Sequence, residues 1–414
     1  MEEIKKQAEY CLNCKTKPCK SGCPLQNNIP DFIKYIKEEN YEKAFKVISD
    51  TTIFEVICGR ICPHKSQCEG NCIRGIKGES VNIGKLETFI GDYALENINT
   101  EPIKSNENSK KVAIIGSGPS GLACSYYLSS RGFKVDIYEK HEKLGGLLRY
   151  GIPEFRLKKE ILDKWLRKYI LNKNVTAYTN IELGKDILLE ELKKKYDVIV
   201  LAIGANISNK MNIEGEEKDF VLGGNELLEY KNMPDFENKK VVVIGGGNVA
   251  MDASRTIKRL GAKDVTVVYR RSEKQMPAEK KEIEDARKEG IKFLFLTNMI
   301  RVLDKKIECV KTELIKKEGE TRKYPVNKEK SNFFMDVDFV VLAVGASTDK
   351  NIIDKLGLET NKWEYIKVDE NYKTSDENVY AIGELAGTKQ TVAWAARSGF
   401  ECGKSILEQK NNTN

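Results

Sequence analysis

No stretch of this 414-residue sequence approaches the roughly 20 uninterrupted apolar residues that a membrane-spanning helix needs. The first ten residues, Met1 to Tyr10, have no apolar h-region, so no secretory signal is expected and the setting is expected to be cytoplasmic. Low-complexity tracts are missing. Strong charge of one sign is missing as well: the net charge is +7, from 69 basic and 62 acidic residues. That balance fits a well-solvated surface, or at most a basic patch for an acidic electron carrier, and neither nucleic acid nor membrane is expected as a partner. Apolar residues make up 40% of the chain, enough for a globular protein, and the length calls for two or three domains.

Cysteine, by contrast, is abundant. Eight of the eleven stand in two tight clusters before residue 73. The first is C-x2-C-x4-C-x3-C-P: Cys11, Cys14, Cys19 and Cys23, with Pro24. The second is C-x3-C-P-x4-C-x3-C: Cys58, Cys62, Cys68 and Cys72. Such close spacing, without an export signal, favours metal-bound thiolates over disulfides. Structural zinc uses paired C-x2-C knuckles, of which there is one here. The first run instead resembles bacterial ferredoxins, where three close cysteines hold one [4Fe–4S] cluster and a fourth, before proline, holds another. Thiolates of lowered pKa are expected at both clusters.

Two dinucleotide fingerprints follow. Lys111 to Gly121 reads K-V-A-I-I-G-S-G-P-S-G, and Lys240 to Ala250 reads K-V-V-V-I-G-G-G-N-V-A. Each follows a β-prone apolar run and opens an apolar-periodic helix, the context in which glycines permit the tight turn and admit a pyrophosphate at the helix N-terminus. The ends of their second strands separate them. Glu139 closes the first unit and can accept hydrogen bonds from a ribose 2′-hydroxyl, which suits FAD or NAD. Arg270 and Arg271 close the second and fit the 2′-phosphate of NADPH. Neither fingerprint has a C-x4-C or C-x2-C pair nearby, which disfavours a thiol–disulfide reductase. Cys124, Cys309 and Cys402 stand alone and read as small buried hydrophobes.

The fold expected is α/β: an N-terminal helical iron–sulfur domain (1–105), an FAD domain (106–208 and 346–414), and an NADPH domain (209–345) inserted into it. Asp31 to Asp50 has mostly helical spacing. Polar segments at Glu101–Lys110 and Lys231–Lys239 read as linkers. Asp336 to Gly345 reads as one buried strand and echoes Asp197 to Gly204. Leu144 to Leu157, with Gly145, Gly146, Gly151 and Pro153, reads as a loop wrapping the flavin. Candidate FAD contacts are Gly116, Gly118, Pro119, Ser120, Gly121, Glu139, Lys140, Gly146, Leu147, Gly204, Gly383, Glu384, Thr391 and Val392. Candidate NADPH contacts are Gly245, Gly247, Asn248, Val249, Ala250, Arg270, Arg271 and Gly345.

The chain resembles the glutamate synthase small (β) subunit superfamily, which includes the large subunit of NADH-dependent ferredoxin–NADP oxidoreductase and the flavin half of dihydropyrimidine dehydrogenase. The stretches that carry the resemblance are Cys11 to Pro24, Cys58 to Glu87, the R-Y-G-I-P-E-F-R-L loop (Arg149 to Leu157) and Y-R-R-S-E-K-Q-M-P-A (Tyr269 to Ala278). It implies crossed ligation of two [4Fe–4S] clusters: Cys11, Cys14, Cys19 and Cys72 on one, and Cys23, Cys62 and Cys68 on the other. The fourth ligand of the second would be Glu87 or, failing that, Cys58. The family's Gly-Asp pair stands here as Gly383-Glu384. The implied activity is an NADPH-dependent oxidoreductase passing electrons through FAD and the clusters to a larger flavoprotein subunit, as in glutamate synthase. A subunit of a flavin-bifurcating ferredoxin–NADP oxidoreductase and one of a pyrimidine reductase are the rivals; a non-catalytic electron-transfer scaffold is a third reading.

Overall fold

The computed structural model describes residues 1–99, 110–229, 233–316 and 323–411. The linker expected at Glu101–Lys110, save Lys110 itself, the boundary at 105, and the start of the linker at Lys231–Lys239 fall outside them. The chain divides into two compact units. One comprises Met1–Arg149, Glu154–Gly204 and Lys350–Asn414; the other comprises Tyr150–Pro153 and Ala205–Asp349.

The first unit begins with short helices that carry the cysteines. Ile29–Lys37 buries Ile29, Pro30, Phe32, Ile33 and Ile36 on one face. Tyr41–Ser49 buries Ala44, Phe45 and Ile48. The helical spacing of Asp31 to Asp50 is thus shared between two helices. Asn40 divides them, because its side-chain oxygen accepts from the Lys43 amide at 3.1 Å and starts a new N-terminus. The helix Glu55–Ile61 carries Cys58 and ends at Cys62. Asn82 caps the long helix Ile83–Asn97, which bears Glu87.

This unit also holds a parallel five-stranded sheet, in the order Val379–Ala381, Val198–Leu201, Lys111–Ile115, Lys134–Glu139, Val175–Thr179. Val198–Leu201 is buried at every position, as a strand covered on both faces must be. Lys111–Ile115 lies where the strand order reverses, the position at whose carboxyl end sheets of this kind bind ligands. Trp165, wholly buried at the end of the helix Lys159–Trp165, donates its indole N–H to the Ile53 carbonyl (2.6 Å) and lies 4.8 Å from the Phe54 ring, tying that helix to the start of the helix that carries Cys58.

The second unit repeats the plan. Its parallel sheet runs Val221–Gly223, Phe339–Leu342, Lys240–Ile244, Asp264–Tyr269, Lys292–Phe295. An antiparallel sheet adds Thr297–Val302, Lys306–Lys316, Lys323–Asn327 and Phe333–Asp336. The echo between Asp197–Gly204 and Asp336–Gly345 therefore begins in register at Asp338, and the expected single strand is two. Asp338 accepts from the Lys240 amide at 2.8 Å, as Asp197 accepts from the Lys111 amide at 2.7 Å. Each aspartate pins its strand to the start of the fingerprint strand beside it.

Candidate functional site

At the first fingerprint Gly116 takes φ +104°, and a Cβ there would stand 2.4 Å from the Ala202 carbonyl oxygen. No side chain can replace it. Gly121 lets the helix Pro119–Ser129 close on the strand, since a Cβ would stand 2.1 Å from the Gly116 oxygen. Gly118 differs: a Cβ there would meet nothing within 4 Å. Its backbone faces open space at a helix N-terminus, the place a pyrophosphate requires.

Three further segments converge on this turn. Glu139, 3% exposed, accepts from the Ser117 amide (3.0 Å) and hydroxyl with one oxygen and from the His141 amide (2.9 Å) with the other. A carboxylate has about four acceptor positions, so capacity for a ribose hydroxyl remains. The Ser117 hydroxyl in turn accepts from the Gly145 amide (2.9 Å), and a Cβ on Gly146 would lie 2.6 Å from Gly118 Cα. Gly145 and Gly146, in the segment expected to wrap the flavin, are thus anchored over the glycine turn, and Leu147–Tyr150 within that segment forms one helical turn rather than the open loop expected. Gly383, at φ +69°, packs its turn against Ser120. Beyond it the C-terminal helix Val392–Asn411 is capped by Thr391, whose carbonyl accepts from Ala395 (3.0 Å) and hydroxyl from Trp394 (3.3 Å). Those bonds leave the Val392 and Ala393 amides at the helix start. Burial pushes the Glu384 carboxyl up to about 7. Lys140 and Leu147 are exposed, and Gly204 lies beyond the strand Val198–Leu201.

The second fingerprint repeats the first turn: Gly245 takes φ +148°, and its Cβ would stand 2.2 Å from the Ala343 oxygen. Gly247 is again open, with Pro277 Cγ nearest at 4.0 Å, and Val249 and Ala250 lie on the helix Asn248–Arg259. The stretch Tyr269 to Ala278 folds back over this turn. Ala278 donates its amide to the Gly246 carbonyl (3.1 Å), and Glu279 to the Asn248 side-chain oxygen (3.0 Å). Arg270 and Arg271 part company: Arg270 is exposed and Arg271 is 9% exposed. Their carbonyls are tied down by the Thr312 hydroxyl (2.8 Å) and the Leu296 amide (3.1 Å). Gly345, at φ +119°, lies beside Asn209.

The cysteines gather in two groups drawn from both sequence clusters. Cys11, Cys14, Cys19 and Cys72 line one recess. Cys23, Cys62, Cys68, Cys58 and Glu87 form a deeper group. Glu87 and Cys62 both act electrostatically on Cys23 and on Cys68, and the Cys58 thiol hydrogen-bonds Cys62. Glu87, 5% exposed, accepts from the Asn27 side-chain amide at 3.2 Å, and His64 Nε2 lies 3.9 Å from its other oxygen. Cys58, the alternative to Glu87 as fourth ligand, stands among these groups.

For Cys19, Cys23 and Cys68 the expectation of a lowered thiol pKa is not met. Burial raises the Cys19 thiol to about 11 and Cys23 to about 12, and drives Cys68 well above the usual range. Burial also raises Glu87 to about 8. Thiols held this way without metal stay protonated and unreactive; a cation is what turns such a set into thiolates. Among the described residues no three His, Cys, Asp or Glu side chains converge on one ion. Cys11, Cys14, Cys19 and Cys72 instead share the lining of one recess.

Cys124, Cys309 and Cys402 are fully buried. Cys124 and Cys402 do not stand alone, since their thiols hydrogen-bond across two packed helices. Sequence reasoning missed Ser117, which ties Glu139 to the Gly145 amide, and Arg397. Arg397 donates to the Pro24 carbonyl (3.2 Å), joining the C-terminal helix to the residue after Cys23. A pairing 373 positions apart leaves no local signal.

Residues 110–399 match the pyridine nucleotide-disulphide oxidoreductase family, and residues 1–99 match dihydropyrimidine dehydrogenase domain II with its 4Fe-4S cluster. The small chain of glutamate synthase [NADPH] from Azospirillum brasilense is 32% identical over 431 aligned positions, covering 98% of this chain and 89% of that protein. The NADPH-Fe(3+) oxidoreductase subunit beta of Geobacter sulfurreducens is 38% identical over 363 positions. That alignment covers 84% of this chain but 54% of that protein, so the chain spans about half its length. The NADP(+)-dependent formate dehydrogenase subunit beta of Moorella thermoacetica is 34% identical, with 94% and 59% covered. Mycobacterium tuberculosis FprA in complex with NADPH shares the fold at TM-score 0.65 and 19% identity, over 74% of this chain and 85% of that one. The chain belongs to the pyridine nucleotide-disulphide oxidoreductase family, in the group that carries an N-terminal 4Fe-4S domain and includes the small chains of NADPH-dependent glutamate synthase.

Proposed function

We propose that the chain is an NADPH-dependent oxidoreductase that takes electrons through FAD into two [4Fe–4S] clusters and delivers them to a larger flavoprotein subunit, as an electron-input subunit of glutamate synthase type. One observation carries the reading. Two glycine turns of the same geometry stand on separate sheets, one beside a buried acid and the other beside two arginines, on a chain that also gathers two thiol groups. A bound flavin accepts an electron pair from reduced nicotinamide and releases it singly to iron–sulfur clusters.

The residues supply binding and orientation. Gly118 and Gly247 admit pyrophosphates, and Glu139 selects a free ribose hydroxyl. Arg270 and Arg271 select a 2′-phosphate, and the Val392 and Ala393 amides meet the flavin. Cys11, Cys14, Cys19 and Cys72 hold the outer cluster; Cys23, Cys62, Cys68 and either Glu87 or Cys58 hold the inner one. The NADPH-Fe(3+) oxidoreductase and formate dehydrogenase β subunits favour a second reading, in which the same module feeds a different large partner. The purified chain should reduce artificial dyes with NADPH and make no glutamate. Glutamine-dependent glutamate synthesis by the pure chain would refute the input-subunit reading.

A further inference from the structure

The recess that gathers Cys11, Cys14, Cys19 and Cys72 opens through an apolar lip. Leu12 and Ile73 line it while 50% and 38% exposed. Ile76, 78% exposed, ends the 3₁₀ turn that Ile73 begins. In a 3₁₀ turn side chains three apart eclipse one another, so these two isoleucines share a face. A lone exposed aliphatic residue needs no explanation, but two that line one recess, with a third on the same face of the adjoining turn, mark a contact surface.

The charge around the lip is one-sided. The segments 10–22 and 70–80 carry Lys15, Lys17, Lys20, Arg74 and Lys77 against Glu79, a net of +4, where the whole chain has +7. Lys17 is spent on Asp31 (2.8 Å), and Arg74 lies over the Tyr10 ring and donates to the Tyr10 carbonyl (2.9 Å). Lys15, Lys20 and Lys77 have no ion-pair partner among the described residues. A second copy would bring +4 against +4. An acidic surface would be drawn in by the cations and held by apolar contact, as in fast, small and salt-sensitive encounters of redox proteins.

We propose that Leu12, Ile73 and Ile76, ringed by Lys15, Lys20 and Lys77, form the docking surface for a redox partner that presents carboxylates around an apolar centre. The proposal rests on the reading of the Cys11 group as a cluster. For each NADPH oxidised to NADP⁺ and a proton, two electrons leave by this face and two one-electron acceptors on the partner are reduced.

The test uses the full-length holoprotein and two c-type cytochromes of similar potential, one acidic and one basic, with a small neutral quinone as control acceptor. The wild type should reduce the acidic cytochrome about tenfold or more faster than the basic one, an advantage that salt removes. Lys15→Glu with Lys77→Glu should reverse the preference. Ile76→Ser should slow the acidic cytochrome at all salt concentrations. Both should keep wild-type quinone reduction and iron content. Equal rates with the two cytochromes, or variants that lose quinone and cytochrome reduction together, would overturn the proposal. So would self-association of the wild type that Ile76→Ser abolishes, which would assign the lip to a second copy. A wild type that reduces none of the three acceptors would instead remove the electron-transfer reading itself.

Discussion

Replacing Arg270 with Ala should shift nucleotide preference while leaving the fold intact. The side chain is exposed, and its position is set by the backbone, through the Arg270 carbonyl and the Thr312 hydroxyl (2.8 Å), so truncation removes a guanidinium and little packing. A charge-assisted hydrogen bond to phosphate contributes roughly 1.5–3 kcal/mol, and about 1.4 kcal/mol is a factor of ten. The NADPH KM should therefore rise about tenfold to a hundredfold, with NADH kinetics unchanged because NADH lacks the 2′-phosphate. Arg271 is 9% exposed, so Arg271→Ala should also lower Tm. Arg271→Lys should keep the charge and lose the planar fork, giving a smaller loss. Steady-state dye reduction with each nucleotide separates these terms. Equal losses with NADPH and NADH would refute the 2′-phosphate assignment.

Gly118→Ala should weaken FAD retention without lowering the Tm of the flavin-free chain, because a Cβ there meets only open space, whereas Gly121→Ala, whose Cβ would stand 2.1 Å from the Gly116 oxygen, should cost roughly 1–3 kcal/mol in that chain too; equal Tm losses would put protein, not ligand, at Gly118. Arg397→Ala should alter the EPR signal of the cluster that Cys23 serves and leave the NADPH KM unchanged, since it cuts the tie from the C-terminal helix to Pro24; an unchanged signal would make the tie ornamental. Glu55 is fully buried, has one carboxyl oxygen without a partner, and is pushed up to about 8 by burial. A carboxyl raised on folding lends stability that is full below its unfolded value and lost as pH rises through the folded one. The resistance of the cluster-free chain to urea should therefore fall between about pH 4.5 and 8, and Glu55→Gln should flatten that slope and stabilise the chain above pH 8 by on the order of a few kcal/mol; an unaltered slope would show that Glu55 ionises freely.

The parts that the sequence makes legible are those whose chemistry is local. A glycine turn between an apolar strand and an apolar-periodic helix has few other uses, and close cysteine spacing points to a metal at sight. What was not legible depends on partners distant in the chain. Asn40 splits one helical pattern into two helices through a cap that spacing alone does not reveal. Cys124 and Cys402 become neighbours when the first nucleotide helix packs on the C-terminal one. Thiols expected to be acidic are raised instead, because burial outweighs the amides of their turns. The strand echo was visible, but its register at Asp338 follows from a hydrogen bond to Lys240 across 98 residues.

The central claim is that one chain holds a flavin and two clusters. Metal, sulfide and flavin analysis of the full-length protein purified without oxygen tests it most directly. The account predicts about one FAD with roughly eight iron and eight sulfide per chain, the sum for two [4Fe–4S] clusters. Iron near four per chain, or stoichiometric zinc in its place, would contradict it.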